Sequence, residues 1–327
     1  MLEWVIFLLV LFLYVHIIHQ YKCSDEMDVY EYDYLDNSRL QETCNLLQPF
    51  VFKLPNEFTE PDIEELKSGH KNDSTCYFFL YDDPNKDPIQ LPVAIAQEFI
   101  RTTEKQYVSE YNQDAIYDSR EFFEVIRSND KYLIPSFTFY KKYDILMGSK
   151  NATTSLRYHT NTRKFLFVLG DSVSIKLTPW KKNRKNLNEI RDYERGEYRS
   201  QYKVWNPVDE REVEQLKHTE FIDILVEPNN IIFIPPYWGY SIMYNTSKSY
   251  IIEYTYSTVL NTIAFLGEIG RTYLQQQNIY NKVYRNFTNT SIKTQLPEIE
   301  VDSSAIRSTD PSDKIIVSES EPFEKTS

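Results

Sequence analysis

The chain has 327 residues, 41% of them hydrophobic, which suits one large domain with terminal extensions. A net charge of −12 repels phosphate backbones, so a nucleic-acid partner is not expected. With only seven glycines and neither GxGxxG nor GxxxxGK[ST], Gly-rich phosphate loops are excluded. The three cysteines, Cys23, Cys44 and Cys76, form no CxxC, which removes zinc ribbons and thioredoxin motifs. A Cys44–Cys76 disulfide in a lumenal compartment and three free thiols in a reducing one are both open.

Residues 4–18, WVIFLLVLFLYVHII, carry no formal charge. As a helix they span about 22 Å against a hydrocarbon core of about 30 Å, and His19 and Tyr21 can bridge the remainder from the interface. A cleaved signal peptide would carry a basic leader and small residues before the cut. The leader here is Met-Leu-Glu and no A-x-A-like site follows. Residues 1–22 are therefore expected to be an uncleaved single-pass anchor, with membrane localisation. Lys22 is the sole nearby cation, so the positive-inside rule does not choose a side. Five N-x-[ST] sequons, at Asn72, Asn151, Asn245, Asn286 and Asn289, lean slightly toward a lumenal domain.

Residues 23–47 are acidic and Tyr-rich and read as a stalk or first helix. PFVFK (49–53) suits a strand. Residues 54–90, broken by four prolines, read as loops with a short helix at 62–67, and His70 as a solvated side chain. PVAIAQEFIRT (92–102) has helical spacing after a first-turn proline, and 118–126 forms a helix behind Asp118 and Ser119 as N-cap residues. From about 132 to 257, seven or eight short β-rich runs predict a sandwich or barrel. They are interrupted by a charged insertion, Lys181–Lys217, whose basic run Lys181–Lys185 reads as a solvated loop. Residues 258–292 return to helix, and 293–327 are too polar to pack and are expected to be disordered.

Three stretches then stand out. They are DSREFFEVIRSNDKYLI (118–134), DILMGSKNATTSLRYHTNTRKFLFVLGDSVSIKLTPW (144–180) and LVEPNNIIFIPPYWGYSI (225–242). In order and content they resemble the cupin-like, JmjC-type 2-oxoglutarate oxygenases, the group that includes asparaginyl hydroxylases. The resemblance covers roughly 48–256. It implies a mainly β fold with flanking helices: a double-stranded β-helix, or jelly roll, occupying a domain at 48–292.

The resemblance also implies iron held by two His and a carboxylate. Matched residue by residue, those ligand positions fall on Arg157, His159 and Tyr240. Arginine cannot ligate iron and tyrosine is a poor substitute at neutral pH. Among the co-substrate positions Thr154 keeps its threonine, whereas Arg163 and Ser172 replace an asparagine and a lysine. The resemblance therefore implies a relative without the Fe(II) and 2-oxoglutarate ligands, a pseudoenzyme acting in binding or scaffolding. An oxygenase with an atypical metal site using His159, and a structural membrane or virion protein, are the competing readings. The Tyr-, Asn-, Ile- and Lys-rich composition fits an AT-rich coding genome, viral or protist.

A buried Arg157 demands an anionic neighbour. A carboxylate such as Glu253, on a strand that should line the same barrel, or a bound acid, is the expected partner. Possible partners for the protein as a whole are the membrane, another protein and a small anionic ligand. His218-Thr219-Glu220, another H-x-[DE], lies where the family places no ligands and reads as a surface or strand-end feature.

Overall fold

The N-terminal helix α1 (Leu2–His19) is unbroken and none of it is buried. Over 18 residues it is long and apolar enough to cross a membrane. The structure, a computed structural model, describes residues 2–33, 35–53, 58–62, 75–80, 88–193, 195–207 and 209–278. The expected tail at 293–327, the sequons at Asn72, Asn286 and Asn289, His70 and nearly all of the short helix at 62–67 lie outside these residues.

After α1 the chain enters a sheet directly. Strand β1 (Tyr30–Tyr32) pairs in parallel with β2 (Phe50–Lys53). Between them α2 (Asn37–Cys44), capped by the Asp36 carboxylate on the Arg39 amide, buries Leu40 and Cys44 in the core. The acidic stretch read as a stalk or first helix thus holds a helix and packs into the domain. Its charged side chains are exposed, while Leu35, Leu40 and Cys44 turn into the core. The stretch read as loops also holds a hairpin, β3 (Thr75–Leu80) with β4 (Ile89–Pro92), which buries Cys76 and Phe78. Its Asn-, Asp- and Pro-rich flanks concealed it. Cys44 and Cys76 are both free, and burial pushes each thiol up to about 12.

Helix α3 (Val93–Thr102) starts after Pro92 as expected. An unexpected short helix, α4 (Gln113–Asp118), precedes the next expected one, α5 (Arg120–Ser128), which has Ser119 at its N-cap position although the Ser119 side chain makes no cap hydrogen bond. The short α6 (Asp130–Leu133) follows, and β5 (Tyr107–Ser109) precedes them.

From residue 138 the strands are shared between two sheets. They are β6 (Thr138–Gly148), β7 (Arg157–Tyr158), β8 (Arg163–Leu169), β9 (Val173–Pro179), β10 (Glu189–Asp192), β11 (Glu197–Ser200), β12 (Ile222–Val226), β13 (Asn230–Ile234), β14 (Trp238–Tyr244) and β15 (Tyr250–Thr258). One sheet runs β1-β2-β13-β8-β15-β6-β5-β3-β4, the other β10-β11-β7-β14-β9-β12. From β6 onward the chain crosses from one to the other at each strand except over β9–β12, which all lie in the second. The protein is therefore mainly β-sheet with flanking helices. Leu146, Leu166, Val168, Ile232 and Ile251 of the first sheet share a core with Ile175, Leu177, Ile242 and Tyr244 of the second. On its other face the first sheet packs Phe165, Phe167, Phe233 and Tyr254 against Leu40, Ala96, Phe122 and Ile126.

Strand β8 is buried throughout because it has a core on each face. Its period of two sends Lys164, Leu166 and Val168 between the sheets. Arg163, Phe165 and Phe167 go toward the helices. The two sheets approach tightly where Gly148 meets Tyr244, since a Cβ on Gly148 would overlap the Tyr244 ring. Gly148→Ala is expected to lower stability by about 1–3 kcal/mol through overpacking, measurable as a lower midpoint in denaturant unfolding.

The charged insertion is not a loose loop. After α7 (Trp180–Asn183) it makes the β10–β11 hairpin, which adds to β7, and then α8 (Glu210–Leu216). At the C-terminal end, α9 (Val259–Ala264) is followed by a second helix over 266–278.

Candidate functional site

A cavity of about 410 Å³ opens at one end of the paired sheets. Its floor comes from β7, β8, β14 and β15, and it is covered by the β10–β11 hairpin and the helix 266–278. Arg157, His159 and Tyr240 all line it. Arg157 and Tyr240 are direct cross-strand partners on β7 and β14. The guanidinium lies 5.5 Å from the centre of the Tyr240 ring.

Arg157 is gripped by carboxylates. Its Nη1 donates to Glu110 Oε2 at 2.8 Å and its Nη2 to Glu110 Oε1, a bidentate pair. Nη1 also donates to Glu197 Oε1 at 3.1 Å. The Arg157 and Glu110 side chains are 4% and 1% exposed. Glu110 follows β5, and Glu197 opens β11 in the insertion. Burial would raise the Glu197 carboxyl, but the charge of Arg157 and a hydrogen bond with Tyr111 hold it below the usual range.

The expected internal ion pair is therefore present with different partners. Glu253 pairs with Lys164 instead, one strand away on β8. Burial raises the Glu253 carboxyl, yet Lys164 and Lys142 outweigh this and draw it down to about 2. Burial likewise opposes the Lys164 charge, and Glu253 more than reverses it. Lys164 also lies 5.6 Å from the Tyr240 ring centre, on its way to Glu253. Beside Glu253, on β6, Asp144 is pushed up to about 6 by burial, although it accepts from the amides of Tyr111, Asn112 and Ile145.

His159 is buried just past β7, with Nε2 2.9 Å from the Ile234 carbonyl. A carbonyl can only accept, so Nε2 carries a proton there. Burial, and then the nearby Lys164 charge, draw the imidazole down to about 3. The Tyr240 phenol is raised by burial, against the pull of Arg157 and Lys164.

The positions matched to co-substrate contacts are not brought to this cavity. Arg163 points to the helix side, where it donates to Gln41 Oε1 at 2.6 Å. The inward side chain one residue later is Lys164, because a single step along a strand reverses the face. Thr154 Oγ1 accepts the Ile242 amide at 2.9 Å and fastens β14 from outside the cavity. Ser172 lies in the β8–β9 turn, where its carbonyl accepts from Asn245 and Ser249. His218 lies beside Glu214, at 3.8 Å on the surface.

Iron does not fit these side chains. The position matched to the first ligand holds a permanent cation clamped by two carboxylates. The second is an imidazole whose Nε2 is committed to a carbonyl, and the third is an un-ionised phenol. Among the described residues no three His, Cys, Asp or Glu side chains are placed to hold a metal ion. Comparison with protein-family models and with curated proteins finds no match for the chain.

Sequence reasoning missed Glu110, Glu197 and Lys164. The carboxylates carry no local signal, since they lie in a short β5–α4 connection and in an insertion. Lys164 was legible in principle, as the residue of β8 out of phase with Arg163.

Proposed function

We propose that this chain is a membrane-anchored, cupin-like, JmjC-type domain in which the oxygenase site is replaced by an internal ion-pair lattice. It acts in binding or scaffolding rather than in hydroxylation. The strand order supports the double-stranded β-helix. Counted from β6 with the β10–β11 hairpin omitted, the eight strands fall as 6-3-8-1 in one sheet and 2-7-4-5 in the other. This is the interleaving such a helix requires. Helix α1 is the anchor in this reading, since it is apolar along its length and none of its residues is buried.

The observation that carries the loss of chemistry is Arg157 held between Glu110 and Glu197 at the place where a metal would sit. A purely structural role explains less, because the cavity remains open and is lined by polar side chains.

The purified full-length chain is expected to contain no stoichiometric iron and to leave 2-oxoglutarate unconsumed. Elemental analysis together with a succinate assay checks both. Iron at one equivalent with 2-oxoglutarate turnover would restore the reading of an oxygenase with an unusual site built on His159.

A further inference from the structure

The C-terminal helical pair carries its amphipathic pattern reversed. Along 259–274 the exposed large apolar residues are Val259, Ile263, Leu266, Ile269, Tyr273 and Leu274. Val259 and Ile263 lie about one turn apart on α9, and Leu266 and Leu274 about two turns apart on the helix that follows, whereas Ile269 and Tyr273 border the cavity. The opposite face, with Asn261, Phe265 and Thr272, turns toward the domain. Leu266 is 62% exposed.

The apolar surface continues beyond the helix. The Val259 amide donates to the Phe137 carbonyl at 3.0 Å, and Phe137 and Phe139 are 86% and 68% exposed. A contiguous apolar surface of this kind calls for a cover.

Its location indicates which cover. Tyr21, just past the end of α1, donates its hydroxyl to the Ala264 carbonyl at 2.7 Å and packs its ring against Phe265, tilted, with centroids 5.0 Å apart. The stripe therefore begins where the apolar N-terminal helix ends. Eighteen helical residues reach only about 27 Å, so a spanning α1 leaves no slack and holds the domain against the headgroups.

The basic run Lys181–Lys185 is at the same place. Lys181 donates to the Tyr21 carbonyl and sits 3.8 Å from the Tyr237 ring centre. Lys182 and Arg184 are paired with Glu220 and Glu189, while Lys181 and Lys185 remain exposed at the rim. Aromatic and aliphatic side chains beside exposed lysines match the interfacial layer of a bilayer.

We propose that the face formed by Phe137, Phe139, Val259, Ile263, Leu266 and Leu274 lies in the interfacial layer of the membrane that α1 spans, so that the domain is docked flat and not suspended. This rests on the reading of α1 as an anchor.

The test uses the full chain, in a Cys23→Ser background, reconstituted into phosphatidylcholine–phosphatidylserine vesicles. A bimane fluorophore is placed in turn on Val10→Cys, Leu266→Cys and Leu225→Cys, with nitroxide-labelled lipids as quenchers. Leu225 is exposed and pairs with Ser174, five residues or about 16 Å up β9 from Pro179, away from Tyr21. Mid-chain nitroxide is expected to quench at Val10. Headgroup-level nitroxide is expected to quench at Leu266 by about twofold or more and to leave Leu225 unchanged. Quenching at Val10 with none at Leu266 overturns the docked face and keeps the anchor. Quenching at Leu266 without Val10 keeps the face and overturns the anchor. Equal quenching at Leu225 means general adsorption and overturns the docked face.

Discussion

Arg157→Met is expected to cost about 3–5 kcal/mol of folding stability at neutral pH, read as a large drop in denaturant midpoint. The methionine fills much of the same space but leaves Glu110, 1% exposed, and Glu197 without their shared cation. Two carboxylates confined in one place repel each other and have lost the guanidinium donors that replaced water. Arg157→Lys should restore little, because an ammonium cannot engage both Glu110 oxygens in parallel. Removing all three charges together, with Glu110→Leu and Glu197→Leu added to Arg157→Met, should recover most of the loss. A single Arg157→Met change costing under about 1 kcal/mol would mean that the lattice is not formed in solution.

The second large effect is a pH dependence centred on His159. In the unfolded chain its imidazole takes a proton near pH 6.5, whereas in the folded protein it does so only near 3. Between those values the unfolded state holds more protons, so this group's contribution is complete above pH 6.5 and is lost as pH falls toward 3. Asp144 acts in the opposite sense. Its folded value of about 6 lies above the ordinary 3.8, so its contribution is complete below 3.8 and is lost as pH rises through 6.

The two slopes oppose each other between pH 6 and 3.8 and flatten the wild-type curve. The difference between wild type and His159→Gln isolates the histidine. Glutamine still offers a donor to the Ile234 carbonyl and does not titrate. From pH 7 to pH 4 that difference should move by about 3 kcal/mol against the wild type, at about 1.4 kcal/mol per tenfold change in proton affinity. Unfolding curves at several pH values measure it. Parallel curves would show that His159 is reached by water in the folded state.

Much of the fold was readable because it follows local periodicity. The apolar run of α1, the helix after Pro92 and the β-rich runs from 138 onward each carry their own pattern. The hairpin at 75–92 did not, since its strands are short and enclosed by turn residues. The start of α5 at Ser119 was readable from its cap residues, whereas the six-residue α4 before it is too short to show a helical period.

At the site, Arg157, His159 and Tyr240 were legible as a trio, since two alternate on one strand segment and the third follows the Ile234-Pro235-Pro236 turn. Their neighbours were not. Pairing Arg157 with Glu253 rested on both lining the same barrel, but Lys164, on the strand hydrogen-bonded to that of Glu253, takes the carboxylate. Placing Arg163 in the cavity failed by one residue, the smallest register error a strand permits and also the one that reverses its face.

The clamp on Arg157 also constrains how the chain can be divided. One carboxylate arrives 47 residues earlier in the sequence and the other 40 residues later. The central strands therefore neutralise their own arginine only after both distant segments have returned to it. A fragment limited to 132–257 lacks Glu110 and would carry a half-compensated cation at its centre. Ordering this end of the molecule must wait for long loops to close, which places it among slow, late steps of folding.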